Sequence, residues 1–154
     1  MVEYTFQKAV VDTEQLTVEV NASAIAQDAL SMDWGEPDAL IIRFESALSQ
    51  GDQDILAVLV ATHGASGVGR YQANHYQRTP GSGIVVKEEW FETIDVQAGT
   101  VSGLAKRKTP TYVADKIVSY KVEMFFKNGL VASTENFRCW TDSNGNYIEE
   151  KVTT

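Results

Sequence analysis

The sequence is short of the residues from which most chemical sites are built. It has one cysteine, Cys139, so no internal disulfide can form. It has two histidines, His63 and His75, too few for the usual three or four protein ligands of a zinc site without help from carboxylates. Only three prolines interrupt it. No apolar run approaches the roughly 20 residues needed to cross a bilayer, and the N-terminus lacks the basic start and apolar stretch of a signal peptide. Positive charge is also scarce. Thirteen lysines and arginines against 21 acids leave a net charge of −8, which excludes nucleic-acid binding as the main role. These shortages predict a protein without membrane or nucleic-acid partners.

What is present is an ordinary globular composition, 44% hydrophobic and 22% charged, so the chain can build a core and disorder throughout is excluded. Its charge is unevenly placed. Residues 1–64 hold eleven acids and two bases, a net of −9, whereas residues 65–154 hold ten acids and eleven bases, a net of +1. Such an asymmetry points to two units with different surroundings.

The composition changes at residues 65–83. With Gly64 this stretch carries five glycines and one proline, so it reads as a Gly-rich connecting segment. Tyr71 and Tyr76 within it are candidate anchors to a surface. Residues 1–64 then read as a small α/β module and residues 84–154 as an antiparallel β domain.

In the first module, Leu16-Thr17-Val18-Glu19-Val20 alternates as a half-buried strand does. Asn21 is placed to cap a helix over 22–31, with Ile25, Ala26, Ala29 and Leu30 on its apolar side. Residues 39–45 read as a second strand. Ser49 with Asp52 three residues on marks the start of a second helix, striped by Ile55, Leu56, Leu59 and Val60 and stopped at Gly64. Val2–Val11 is read as holding an earlier strand.

The rear portion switches to a period of two. Ile84–Val96 is expected as a strand, 97–112 as a loop, and Val118–Phe126 as a strand with the clearest alternation in the chain. Asn128-Gly129 suits a two-residue type I′ turn. Leu130–Trp140 then returns with Phe126 facing Val131, Tyr120 facing Phe137, and Glu135 falling awkwardly opposite Val122. Asp142–Asn146 makes a second turn into Tyr147–Val152. The expected fold class is α+β: a small β-α-β-α unit followed by an antiparallel meander or sandwich, whose apolar face must pack on another sheet, the first module or another subunit.

A search for chemistry finds little. His63 closes a helix, where a ring nitrogen meets free carbonyls. Cys139 sits in a strand pattern, away from the helix N-terminus or base that activates a thiol. The run Gly64-Ala65-Ser66-Gly67-Val68-Gly69-Arg70 follows a helix and lacks the lysine of a phosphate loop. No calcium-loop signature is present, and Asp142–Asn146 is more simply a turn. Trp34, beside a Gly and close to a Pro, is expected to plug a small core. With no nucleophile, base and orienting partner grouped, the chain reads as a non-enzyme without catalytic residues, cofactor or metal. The candidate interface residues are Tyr71, Tyr76 and the only basic run, Lys106-Arg107-Lys108, placed in the expected loop.

One resemblance adds to this. The runs Leu16-Thr17-Val18-Glu19-Val20-Asn21-Ala22-Ser23-Ala24-Ile25, Ile41-Ile42-Arg43-Phe44-Glu45-Ser46-Ala47-Leu48-Ser49 and Asp54–Gly64 resemble a small α/β module of tailed-bacteriophage virion structural proteins. There a strand and helix lead to a strand ending F-x-x-x-L-S, and a helix ending in His closes the module; Leu48-Ser49 and His63 match. The resemblance covers about residues 14–64. It implies a variable β-rich region afterwards, a place in the virion, and a role as an accessory or decoration protein binding the capsid surface and its own copies. Partners would be other virion proteins of capsid or tail, with homo-oligomer formation. A neck, tail or baseplate component stays open, as does a β-rich module binding carbohydrate or a host surface. The last is distinguished by two or more of Trp34, Trp90, Trp140 and the tyrosines lining one open groove.

Overall fold

The computed structural model describes residues 1–153. The protein is α+β, with two helices and nine strands in two antiparallel sheets among the described residues. The chain divides into two compact units, Met1–Gly69 and Arg70–Thr154. The division falls inside the segment expected as a connector, and residues 75–80 of that segment form a strand. No described helix is long and apolar enough to cross a membrane.

Unit 1 runs β1 (Val2–Gln7), α1 (Thr13–Asn21), β2 (Ser31–Gly35), β3 (Ala39–Phe44) and α2 (Gln50–Thr62). Its three strands pair in the order β1-β3-β2. The central strand alternates strictly. Leu40, Ile42 and Phe44 are fully buried, each contributing about 2 kcal/mol by its burial. They join Leu16 and Val20 of α1 with Leu56 and Val60 of α2 in one core. On the outer side of β3, Arg43 pairs with Glu3 of β1 at 2.7 Å and with Asp33 of β2. Helix α2 starts as expected, with the Ser49 hydroxyl accepting from Asp52 N–H and Gly64 following at φ +83°.

The expectation of a strand at 16–20 and a helix at 22–31 is corrected. Residues 16–20 lie inside α1, and 22–30 are irregular before β2. Leu16 and Val20 are four residues apart, a spacing that satisfies a strand and a helix face alike. Asp12 decides between them, because its carboxylate accepts from Gln15 N–H at 2.9 Å and caps the helix. Asn21 ends α1 rather than starting a helix, and its side chain accepts from Ala29 N–H. The element order is therefore β-α-β-β-α. Trp34 does not plug a core: it is exposed, in β2, with its indole N–H donated to the Lys8 carbonyl at 2.8 Å.

Unit 2 is a meander of six antiparallel strands in sequence order: β4 (His75–Pro80), β5 (Val85–Asp95), β6 (Thr100–Val113), β7 (Lys116–Phe125), β8 (Val131–Thr141) and β9 (Tyr147–Val152). Residues 97–112 are thus mostly strand, not loop. The Lys106–Lys108 run is held in the ladder by acids on β5, Glu88 opposite Lys108 and Glu89 opposite Arg107. Pro110 sits past the last β6 residue paired with β5, so on that side there is no ladder for it to interrupt.

The turns differ from expectation in type. At Asn128-Gly129 only Gly129 has positive φ; Gly129 N–H reaches Phe126 O and Phe126 N–H reaches Leu130 O. That is a three-residue loop with Gly in the left-handed position, and the same bonds recur at Asp142, Gly145 and Asn146. The type I′ turn is at Ala114-Asp115, where both φ values are positive. A register shift after Met124 places Phe125, not Phe126, opposite Val131. Tyr120 does face Phe137 and Val122 does face Glu135.

Candidate functional site

Alternation along each strand, combined with the register, sorts unit 2 into two chemically different faces. One carries three cross-strand rows: Tyr76–Trp90–Lys106–Met124–Ser133, Arg78–Glu88–Lys108–Val122–Glu135, and Pro110–Tyr120–Phe137–Lys151. The other carries Gln77–Glu89–Arg107–Glu123–Thr134, Thr109–Lys121–Asn136–Val152, and Thr111–Ser119–Arg138–Glu150. The first is aromatic and aliphatic with interspersed charges. The second is mostly ionic and hydroxyl-rich, with Phe125 under Arg107 and Trp140 paired with Ile148 on the same side.

On the aromatic face the rings pack laterally. Tyr76 and Trp90 lie 5.1 Å apart, and Lys106 Nζ sits 4.8 Å from the Trp90 ring centre. Tyr120 stacks on Phe137 at 4.6 Å and 16°, with Lys108 Nζ 4.1 Å from the Tyr120 ring. Lys106 covers a face of Trp90, and Lys108 and Phe137 cover Tyr120. The charges are paired within the face as well. Lys108 approaches Glu88 at 3.7 Å, the Tyr76 hydroxyl donates to Glu88 at 2.6 Å, and Lys151 pairs with Glu135. The last pair is what lets Glu135 sit opposite Val122.

Of the grooves on this sheet, two are lined by residues of the aromatic face. One, of about 310 Å³, is lined by Trp90, Lys106, Lys108, Tyr120, Glu135 and Phe137 among others. The second, of about 450 Å³, lies at the end of β7–β9 between Ile117, Val118, Cys139, Trp140 and Tyr147. Burial, helped by a hydrogen bond to Glu149 at 3.0 Å, pushes the Tyr120 hydroxyl up to about 12. Tyr147 is raised too, first by the Cys139 thiol and then by burial. Its hydrogen bond to Glu88 raises Tyr76.

The five candidate interface residues do not form one site. Tyr76, Lys106 and Lys108 share the aromatic face. Arg107 points to the opposite face, where it donates to Glu89 at 2.9 Å and lies over Phe125. Glu89 is buried, which alone would raise its carboxyl. Hydrogen bonds from Lys87 and Arg107 outweigh that and hold it below the ordinary carboxylate range. Tyr71 lies beside Gly103 with Lys127 over its ring. Sequence reasoning left Trp90, Tyr120 and Phe137 out of the interface set. The signal for Trp90 was the opposite-charge match of Glu88-Glu89 with Arg107-Lys108, which predicts that β5 and β6 pair and brings Trp90 beside Lys106; for Tyr120 and Phe137 it was the alternation that sets them opposite each other.

Unit 1 contains the one arrangement that resembles a catalytic dyad. His63 is buried beside a cavity of about 490 Å³ lined also by Lys8, Val10, Gly67 and Val68, and its Nδ1 lies 2.9 Å from Glu19 Oε2. Its Nε2 accepts from the backbone N–H of Asp12 at 3.1 Å. An acceptor Nε2 carries no proton, so the proton is on Nδ1, facing Glu19. Both ring nitrogens are engaged, and neither offers a base to the cavity. His75 stands in β4 opposite Phe91, and Cys139 is buried. The Asp142 carboxylate accepts from Asn144 N–H, Asn146 N–H and the Asn146 side chain within its own turn. Among the described residues no group of three His, Cys, Asp or Glu is placed to hold a metal.

No protein-family model matches the chain, and no curated protein or solved structure matches it.

Proposed function

We propose that the chain is a non-enzymatic accessory structural protein of a tailed-bacteriophage virion, working by docking on the capsid surface and on its own copies. The observation that carries the docking half is the two-faced sheet of unit 2. Domains bury a sheet's apolar face under a second layer, and unit 2 builds one layer of six strands. Most row residues of its ionic face are exposed, whereas its aromatic face gathers Tyr76, Trp90, Tyr120 and Phe137 in adjoining rows. The virion setting rests on the resemblance of residues 14–64. That resemblance is weakened at 16–20, where a helix replaces the implied strand. What supports it is Phe44 closing β3, Leu48-Ser49 before α2, and His63 as the C-cap of α2.

The test is immunogold electron microscopy of intact particles with antibody to the purified chain. Label on heads is expected; label at neck, tail or baseplate moves the location but keeps the class. Unlabelled particles, with the chain wholly in the particle-free fraction, would refute it.

Carbohydrate binding is a second reading, favoured by Trp90 and Tyr120 lining one groove. Sugars stack on ring faces, however, and those faces are occupied by Lys106, Lys108 and Phe137. Titration with neutral and acidic polysaccharides is therefore expected to leave tryptophan fluorescence unchanged.

A further inference from the structure

We infer that the aromatic face of unit 2 is covered by a second copy of this chain, sheet packed on sheet, giving a dimer joined through β4–β9. The inference rests on reading that face as a docking surface and adds the occupant.

Three observations select the occupant. The first is size. The three rows hold fourteen residues, which at about 4.8 Å between strands and about 7 Å between rows cover roughly 470 Å² in plan. This is over half of the roughly 800 Å² per partner that a stable pair buries, and the end of β7–β9 around Tyr147 continues the face beyond it. The second is charge. Unit 1 carries eleven acids against two bases and repels its own copies, whereas residues 70–154 hold eleven bases and ten acids. The face itself mixes both signs, with Arg78, Lys106, Lys108 and Lys151 beside Glu88, Glu135 and Glu149. A near-balanced face accepts an identical one; a face steering a partner of opposite charge would carry one sign. The third is the sheet edges. The outer strands hold Arg78 and Pro80 on β4 and Glu149, Glu150 and Lys151 on β9. Charges and proline on outer strands discourage edge-to-edge growth. That leaves the face, and two identical faces close on each other as a two-fold pair.

Tyr76 and Tyr147 stand at opposite ends of the face and are 49% and 54% exposed, so each side chain leaves the core intact when replaced, losing a ring contact and a hydrogen bond at Tyr76 and the Cys139 contact at Tyr147. Sedimentation of the full chain over a range of concentrations is expected to give the mass of two copies. Tyr76→Glu and Tyr147→Glu should each shift it toward one copy, with far-UV circular dichroism unchanged. Lys121→Glu, on the ionic face, should leave the dimer intact. A monomer at every concentration overturns the inference. So does a dimer that survives both tyrosine changes, or one lost with Lys121→Glu. If either tyrosine variant misfolds, the other decides. A monomer found on labelled particles refutes the second copy and keeps the virion proposal; a dimer with unlabelled particles does the reverse.

Discussion

Gln15 is the perturbation from which the packing of unit 1 can be judged most sharply. It is fully buried in the first turn of α1 and ties three partners together. Its Nε2 donates to Glu19 Oε1 at 3.0 Å and, at a long 3.4 Å, to Gly67 O; its Oε1 accepts from Gly69 N–H at 2.9 Å. Gln15→Leu keeps the volume and removes all three. The neutral bond to Gly69 is worth about 1 kcal/mol net and the bond to the Glu19 carboxylate about 1.5–3 kcal/mol. The 3.4 Å contact adds little. Relief of burying an amide offsets about 1 kcal/mol. A loss of about 2 kcal/mol is expected, a visible part of a domain's usual 5–15 kcal/mol. Urea unfolding followed by circular dichroism should show an earlier midpoint. Hydrogen exchange should show the Gly69 amide losing protection, because local opening of residues 64–69 no longer breaks a bond to α1. An unmoved midpoint together with unchanged Gly69 exchange would show that the staple is not holding the loop. Gln15→Glu is the informative companion. It can still accept from Gly69 but sets a second carboxylate against Glu19, so its destabilisation should grow as pH rises and both ionise.

Three further outcomes are expected in unit 2. The Glu89 carboxyl is lowered in the folded state, so its contribution is present above the unfolded value and is lost as pH falls through the folded one. Glu89→Gln should remove about 1–2 kcal/mol at neutral pH and flatten the acid limb of the urea midpoint. Tyr120 is raised from 10.0 to about 12, so its contribution is full below pH 10 and disappears as pH rises through 12. Over that window wild type should lose about 2–3 kcal/mol that Tyr120→Phe does not. Gly103 has φ +73°, and an added Cβ would meet the Tyr71 ring at 3.0 Å and Glu92 Cβ at 3.2 Å. Gly103→Ala should cost about 1–3 kcal/mol in a thermal or urea scan.

Much of this architecture was legible in the sequence where two signals agreed. Ser49 with Asp52 and the Ile55–Val60 stripe predict α2, and the long alternation from Val118 predicts β7 and its pairing with β8. Legibility failed where one signal stood for two structures. Leu16 and Val20 fit either period, and only the Asp12 cap separates them. In β6, Gly103, the basic run and Pro110 look like loop residues. Their strand is made by acids on β5, a non-local cause that a window along the chain does not contain. Ala114-Asp115 adopts a turn usually given to Asn-Gly, held by the strands on either side. The aromatic site was half legible for the same reason: Tyr76 and Lys106 are adjacent only through Trp90, across two strand pairings.

The distribution of paired groups in unit 2 also fixes what kind of force can join two copies. On the ionic face the charges are satisfied sideways, Glu89 by Lys87 and Arg107, Glu123 by Lys121, and Glu150 by Arg138. On the aromatic face Lys108 and Lys151 are likewise neutralised by Glu88 and Glu135, and Tyr120 is covered by Lys108 and Phe137. What is left to meet a partner is the exposed Tyr76 and Tyr147, the half-buried Trp90 and Phe137, the lysine stems, and the cations Arg78 and Lys106. Association through that surface is mainly hydrophobic and therefore only modestly sensitive to salt, since screening acts on unpaired charges. If two copies pair as proposed, their dissociation constant should change little between low and high salt, or tighten slightly at high salt as unit 1 acids of the two copies are screened. Marked loosening as salt is raised would mean that charge attraction, not the apolar part of the face, joins the copies.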